Sequence, residues 1–261
     1  MNTTYDPTAA AELLASAWHH GASLQELPAE CRPATLAQGY ALQDRLIAVM
    51  GTPTAGWKLG MGSPNMMRAA NLQRPLVGRL LQSRCHPAGA TLRLAQPNAP
   101  VTVEFEIAFV MGRDVAPGEA PSDVLDAVAA THVAFELVQS RFLDRRTVGI
   151  PSFVGDTVGF GAFVLGAEIA PARIDEVIAS ARVDVDGVEH AQGQSGDDLP
   201  HPIVSLGYLF DHARERGITL RQGEIVTAGA VARPFDVAQG SGVALRARYA
   251  DGELRATLSA I

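Results

Sequence analysis

The stretch Val101-Thr-Val-Glu-Phe-Glu-Ile-Ala-Phe-Val-Met111 constrains this chain more than any other. Its residues alternate as in a strand, with Val103, Phe105, Ile107 and Phe109 on one face. The other face carries Glu104 and Glu106 among Thr102, Ala108 and Val110. Side chains two apart in a strand point the same way, with Cα atoms roughly 6.5–7 Å apart. Two carboxylates therefore converge in a segment that otherwise reads as buried on both sides. Glu is almost never fully buried without a partner. Two like charges in a dry place need either a shared proton or a cation between them.

A second segment, Thr131-His-Val-Ala-Phe-Glu-Leu-Val-Gln-Ser-Arg141, repeats the anomaly: Glu136 sits alone between Phe135 and Leu137. Three carboxylates on two apolar strands make a hard, oxygen-only site, suited to Mg²⁺, Mn²⁺ or Ca²⁺ rather than zinc. The competing reading pairs Glu104 or Glu106 with an arginine such as Arg141. It is weaker for all three together, because each buried charge needs its own partner. Gly56-Trp-Lys-Leu-Gly60 places Lys58 in a short strand between glycines. That lysine is either a solvated surface charge or, beside a carboxylate–metal cluster, a group that meets a substrate anion or transfers a proton.

With 261 residues, 47% of them hydrophobic, the chain can bury a sizeable core. A net charge of −7 without a basic cluster argues against nucleic acid and anionic membranes as partners. No apolar run has transmembrane length, and the polar start Met1-Asn-Thr-Thr-Tyr-Asp6 does not read as a signal peptide. Cys31 and Cys85 form no metal or redox motif and read as reduced thiols. The expectation is a cytoplasmic enzyme or binding protein.

The first quarter reads as helical. Thr8 is placed to cap a helix through Trp18, and Thr35 with Gln38 has capping-box spacing ahead of a helical period ending at Gly51. From Gly56 short apolar segments alternate with turns, predicting strands over 57–59, 91–94, 101–111, 133–138, 157–165, 225–227 and 243–249. Asp186-Gly187 and Asp251-Gly252 read as hairpin turns. Helices are predicted over 121–130, 174–181 and 202–216, the last stopped by Gly217. The expected organisation is a helical N-terminal region, residues 1–55, joined to a mixed, mostly β domain, residues 56–261, as one continuous unit.

In order, Tyr40-Ala-Leu-Gln43, Gly56-Trp-Lys-Leu-Gly60, Glu104-Phe-Glu-Ile-Ala-Phe-Val-Met-Gly-Arg-Asp114, Phe135-Glu-Leu-Val-Gln-Ser-Arg141, Phe163-Val-Leu-Gly166 and Gly217-Ile-Thr-Leu-Arg-Gln-Gly-Glu-Ile-Val-Thr227 resemble the 2-keto-4-pentenoate hydratase and 4-oxalocrotonate decarboxylase family. That family lies within the fumarylacetoacetate hydrolase superfamily. The resemblance implies an α+β fold, a mixed β-roll or sandwich of the fumarylacetoacetate hydrolase C-terminal type with flanking helices. It implies Mg²⁺ or Mn²⁺ held by Glu104, Glu106 and Glu136, catalytic Lys58 and Asp156, and substrate contacts from Arg141, Gln43, His201 and Arg68. It also implies a 2-oxo acid substrate from meta-cleavage of aromatic compounds and a homo-oligomer, with association to a pathway partner enzyme as a further option.

Several positions depart from the family pattern. Ala-Asp-Asn-x-Ser appears as Gly155-Asp-Thr-Val-Gly159, and a C-terminal Thr-Gly-Ser appears as Thr227-Ala-Gly-Ala230. Gly78-Arg-Leu-Leu-Gln-Ser83 lacks an acidic residue, and His201 replaces an Asn. The predicted ligands match the family better than the residues that would select substrate.

The expected chemistry is a metal-dependent lyase: a 2-oxo carboxylate chelates the metal, which stabilises an enolate, and water adds to a 2-keto-4-enoate. Decarboxylation uses the same enolate and is the runner-up. An acylpyruvase-like C–C hydrolase is a third reading, lacking a His-Glu pair among His19, His20 and Glu26. A non-catalytic partner subunit or ligand-binding homologue is a fourth. The Gly-, Pro- and Met-rich segment 61–75 reads as a cover over a bound acid, with Arg68 or Arg74 available to a distal carboxylate.

Overall fold

The computed structural model describes residues 5–96, 99–238 and 242–259. The first four residues of the polar N-terminal run lie outside that set. Helix α1 (Thr8–His20) does not use Thr8 as its cap. Pro7 occupies that position, and the Asp6 carboxylate accepts the Thr8 N–H at 2.9 Å. Helix α2 (Leu36–Met50) starts as the sequence predicts, with the Thr35 hydroxyl accepting the Gln38 N–H, and stops at left-handed Gly51. The Gln38 side chain reaches back to the N–H of Ala34 rather than Thr35.

Next come β1 (Thr54–Gly60), α3 (Pro64–Ala69), β2 (Leu76–Leu81), β3 (Cys85–Pro87), β4 (Thr91–Leu92), β5 (Val101–Met111) and β6 (Val128–Val138). Then follow α4 (Ile150–Gly155), β7 (Phe160–Ile169), α5 (Ile174–Ser180), β8 (Arg182–Val185), β9 (Val188–Gln192) and α6 (Pro202–Arg216). The chain closes with β10 (Ile225–Ala230), β11 (Phe235–Val237), β12 (Val243–Tyr249) and β13 (Gly252–Leu258).

Among the described residues the strands form two sheets. The larger runs β2-β1-β10-β5-β6-β7-β3, with β11 also on β5, and the smaller runs β4-β13-β12-β8-β9. Asp186-Gly187 and Asp251-Gly252 turn the β8–β9 and β12–β13 hairpins, as their spacing predicts. The face of β5 carrying Val103, Phe105, Ile107 and Phe109 packs into the core shared with Leu245, Tyr249 and Leu254 of the smaller sheet. Phe105 stacks on Tyr249 at 5.7 Å and meets Phe135 edge-on at 5.9 Å. The other face of the large sheet carries Ala108, Ala134, Phe160 and Phe163 against Leu14, Trp18, Leu42 and Leu46 of the N-terminal helices. The fold is thus α+β, a curled mixed sheet covered by a second sheet on one side and by helices on the other.

Two elements differ from expectation. Residues 121–130 hold no α-helix: a 3-10 turn spans Val124–Ala127, and β6 starts at Val128. The Ala-rich start of β6 has helical propensity, yet Val128, Ala130 and Thr131 pair with Met111, Val110 and Phe109, and this ladder overrides it. Over 157–165 the strand begins only at Phe160, because Thr157–Gly159 form a tight turn.

Candidate metal centre and active site

The centre is built on the long β5–β6 ladder. Its register sets Glu104 directly opposite Glu136 and Glu106 opposite Ala134. One ligand oxygen from each of Glu104, Glu106 and Glu136 lies within 4.8 Å of the others. Glu106 and Glu136 are fully buried, whereas Glu104 is half-buried and opens onto a cavity. On β10 the ladder to β5 shifts register between Thr227 and Ala230, and this irregularity aims two donors at Glu106. Its Oε2 accepts from the Thr227 hydroxyl and from the Gly229 N–H at 2.8 Å. Ala230, where the resemblance expects a serine, lines the cavity without a hydroxyl.

Burial sets the electrostatics. Loss of solvation, followed by the charges of Glu136 and Glu104, pushes Glu106 well above the usual carboxylate range. Burial pushes Glu136 up to about 7, although Lys58 opposes the shift. Glu106 Oε1 and Glu136 Oε2 are buried without a hydrogen-bond partner. Orphaned carboxylate oxygens converging from two strands fit a hard divalent cation, and the all-oxygen donor set excludes a zinc-type nitrogen and sulfur site.

Lys58 is 2% exposed and is the cation the buried acids face: its Nζ lies 2.6 Å from Glu136 Oε1 and donates to Val158 O at 3.2 Å. Arg141 therefore does not serve as the counter-charge of these glutamates. The lysine stem runs over Gly78, where an added Cβ would fall 2.8 Å from Lys58 Cγ and 2.5 Å from Thr157 O. Glycine is required there for close approach.

The carbonyl that receives Lys58 belongs to an unusual turn. Thr157, Val158 and Gly159 all have left-handed backbones, with φ of 51°, 54° and 70°. For two β-branched residues this conformation is strained. Arg141 clamps it from both ends, its guanidinium donating to Asp156 O at 2.9 Å and to Phe160 O at 2.6 Å. The same guanidinium pairs with Asp156 Oδ1 at 2.5 Å and lies 3.9 Å from the Trp18 ring centre. Asp156 Oδ2 accepts from the Ser140 hydroxyl and the Arg141 N–H. Both Asp156 oxygens are thus engaged, and neither Asp156 nor Arg141 lines the cavity. At Gly159, where the resemblance expects a serine, a Cβ would come within 2.8 Å of Phe153.

A cavity of about 1240 Å³ opens above Lys58 and Glu104. The other predicted contacts lie outside its lining. Gln43 is buried and donates to Val77 O and Val154 O, tying α2 to β2 and α4. His201 sits at the start of α6, 3.3 Å from Asp175. Arg68 pairs with Asp197 on the surface, and Arg74 pairs with Glu215. The segment 61–75 does border the cavity, through Met61, Gly62, Ser63 and Met66, with Ser63 capping α3. Sequence reasoning missed Thr102, Arg145, Arg146 and Arg233 in the lining. The one signal for them was the Arg145-Arg146 pair shortly after the Glu136 strand.

Residues 65–259 match the family model described as fumarylacetoacetate (FAA) hydrolase C-terminal. The chain is 32% identical over 203 residues to a 2-keto-4-pentenoate hydratase of Paraburkholderia phymatum, covering 76% of each. It is 28% identical over 199 residues to a 4-oxalocrotonate decarboxylase of Pseudomonas sp., covering 75% of this chain and 77% of the relative. A 4-oxalocrotonate decarboxylase from Pseudomonas putida, complexed with magnesium and adipate, superposes over 100% of both chains with a TM-score of 0.86 at 21% identity. The match spans β5, β6 and β10, which carry all three glutamates and the donors to Glu106, and the chain belongs to the fumarylacetoacetate hydrolase C-terminal family.

Proposed function

We propose that this protein is a divalent-metal-dependent lyase on 2-oxo acids, acting as a hydratase on a 2-keto-4-enoate type substrate. The observation that carries this reading is the set of three converging carboxylates, two of them buried with orphaned oxygens, beside a buried lysine at a large cavity. Glu104, Glu106 and Glu136 would hold Mg²⁺ or Mn²⁺. Such an ion, when bound, supplies Lewis-acid polarisation of the keto oxygen.

The chain's own groups do the rest. Lys58 Nζ, held between Glu136 and Val158 O, gives or takes the proton at the carbon next to the keto group. Taking that proton and returning it at the far end of the double bond brings the bond into conjugation with the ketone; water then adds at the carbon β to the ketone and its remaining proton goes to the carbon next to the keto group, so the lysine returns to its starting state. Phe153, Val158 and Ala230 give the same cavity apolar walls.

Decarboxylation is the second reading, favoured by the 28% identical decarboxylase relative. The same ligands and lysine serve it without an added water. Two free cysteines suit a reducing cytoplasm, and no helix among the described residues is long and apolar enough to cross a membrane. A homo-oligomer, with a pathway partner enzyme, completes the reading.

The test is a panel of 2-hydroxy-dienoates and 2-oxo-enedioates with Mg²⁺ or Mn²⁺, followed for 4-hydroxy-2-oxo acid and for CO₂. Hydroxy acid without CO₂ is expected. CO₂ release selects the decarboxylase, and no turnover of either class overturns the lyase reading.

A further inference from the structure

Lys58 is the only lysine in the chain, and its ammonium is held by one side chain and one backbone atom, Glu136 Oε1 and Val158 O. The β5–β6 ladder fixes the strand that carries the carboxylate. The carbonyl has no such support. It belongs to the turn Thr157–Gly159, and two β-branched residues do not keep a left-handed backbone of their own accord. Relaxation of Val158 to an extended conformation would rotate its peptide plane and carry the carbonyl away from the lysine Nζ. Strain of this kind persists only where the surroundings over-determine it.

Two sets of contacts do so. The turn sits down on β1 and β2 around the lysine stem: a Cβ at Gly60 would lie 2.8 Å from Val158 Cγ1, and one at Gly78 would lie 2.5 Å from Thr157 O. Arg141 then fixes both ends. Every nitrogen of its guanidinium donates to a residue flanking the turn, Nε to Asp156 Oδ1, Nη2 to Asp156 O and Nη1 to Phe160 O. A buried ion pair adds little net stability, because lost solvation offsets the attraction, so fastening the fold does not by itself account for this one. The guanidinium is oriented in turn by Trp18 on α1. Its Cζ lies 3.9 Å from the indole ring centre, whereas the indole Nε1 is buried without a hydrogen-bond partner. The tryptophan therefore acts through its face rather than its N–H.

We propose that Arg141 and Trp18 are positioning residues for Lys58: indole, guanidinium, turn and Val158 carbonyl form one line of contacts that sets where the ammonium points. Neither lines the cavity, so both act through the lysine. The bearing on turnover rests on the proton transfer assigned to Lys58 above. Loss of the clamp should lower kcat by about 10–100-fold, the cost of misplacing a reacting group by about 1 Å, and leave KM in place.

The single lysine supplies the test. Metal-free protein labelled with ¹⁵N in lysine alone gives one side-chain ammonium signal by NMR, and burial in a hydrogen-bonded site slows its exchange with water. The unaltered protein should show that protected signal. Trp18→Leu and Arg141→Met should each move it and speed its exchange by about tenfold or more. Trp18→Phe keeps a ring against the guanidinium and should restore most of the protection. Leu245→Ala, in the core of the smaller sheet, is the control: it should lower stability and leave the signal in place. If Arg141→Met does not fold, Trp18→Leu decides. No protected signal in the unaltered protein, an unmoved signal in Trp18→Leu, or equal disturbance by Leu245→Ala would overturn the proposal. The readout needs no substrate, so the predicted signals without turnover would remove the lyase reading and leave the positioning intact.

Discussion

Glu104 and Glu136 are directly opposed residues of the β5–β6 ladder, two carboxylates paired across strands where opposite charges or apolar groups are the favourable choice. Glu106 adds a third acid two residues along, against one buried cation, Lys58. A sheet that carries such a pair in its interior gives up stability at that point, and a cation between the strands restores it.

Glu106→Gln should therefore have two opposite effects. At a pH where Glu106 is ionised, replacing it with a neutral amide relieves its repulsion with Glu104 and Glu136 and raises the Tm of metal-free protein, by about 2–4 °C for each kcal/mol relieved. The same change removes the rise in Tm on adding Mg²⁺. Thermal scans with and without Mg²⁺ read both, and an unchanged Mg²⁺ response would show the ligand assignment to be wrong.

The metal-free protein should lose stability as pH rises between about 4.5 and 7. Glu136 titrates at about 7 when folded and near 4.5 when unfolded, so in that window the folded state holds more protons. His212 acts in the opposite sense: burial and nearby Arg216 hold it down to about 4, and its contribution is lost as pH falls through that range. The difference in Tm between the parent protein and Glu136→Gln isolates the glutamate. Mg²⁺ should reverse the trend, because protons compete with the metal for the same oxygens.

Lys58→Met keeps the stem over Gly78 and removes the ammonium. Turnover should fall by about 10²–10⁴-fold, the usual weight of a positioned acid or base, while Mg²⁺ binding persists. Calorimetry beside steady-state kinetics separates the two, and full turnover in this variant would remove the lysine from the chemistry.

Arg141→Met leaves Asp156 buried without its cation and should cost about 3–5 kcal/mol. Gly159→Ala forces a side chain into a left-handed position against Phe153 and should cost on the order of 1–3 kcal/mol. Urea denaturation checks both. A neutral Gly159→Ala would mean that the turn beneath Lys58 is free to relax.

The parts legible in the sequence were those with a local signature. Alternation exposed the β5 face that holds Glu104 and Glu106, Asp-Gly pairs placed both hairpins, and Thr35 and Gly217 bounded their helices. The parts that were not legible depend on which surfaces meet. Arg141 and Asp156 look like site residues in a linear reading, and only the Arg141 guanidinium, set against Trp18 and bonded to both ends of the turn, reveals a clamp. Arg145 looks like one of two loop arginines until Thr102, 43 positions away in the chain, holds it at the cavity. His201 and Arg68 carry suitable chemistry but face Asp175 and Asp197 instead of the glutamates.

Anomalous diffraction from crystals grown with Mn²⁺ tests the central claim most directly. The account predicts one strong anomalous peak in contact with carboxylate oxygens of Glu104, Glu106 and Glu136. A peak elsewhere, or none at saturating Mn²⁺, would contradict it.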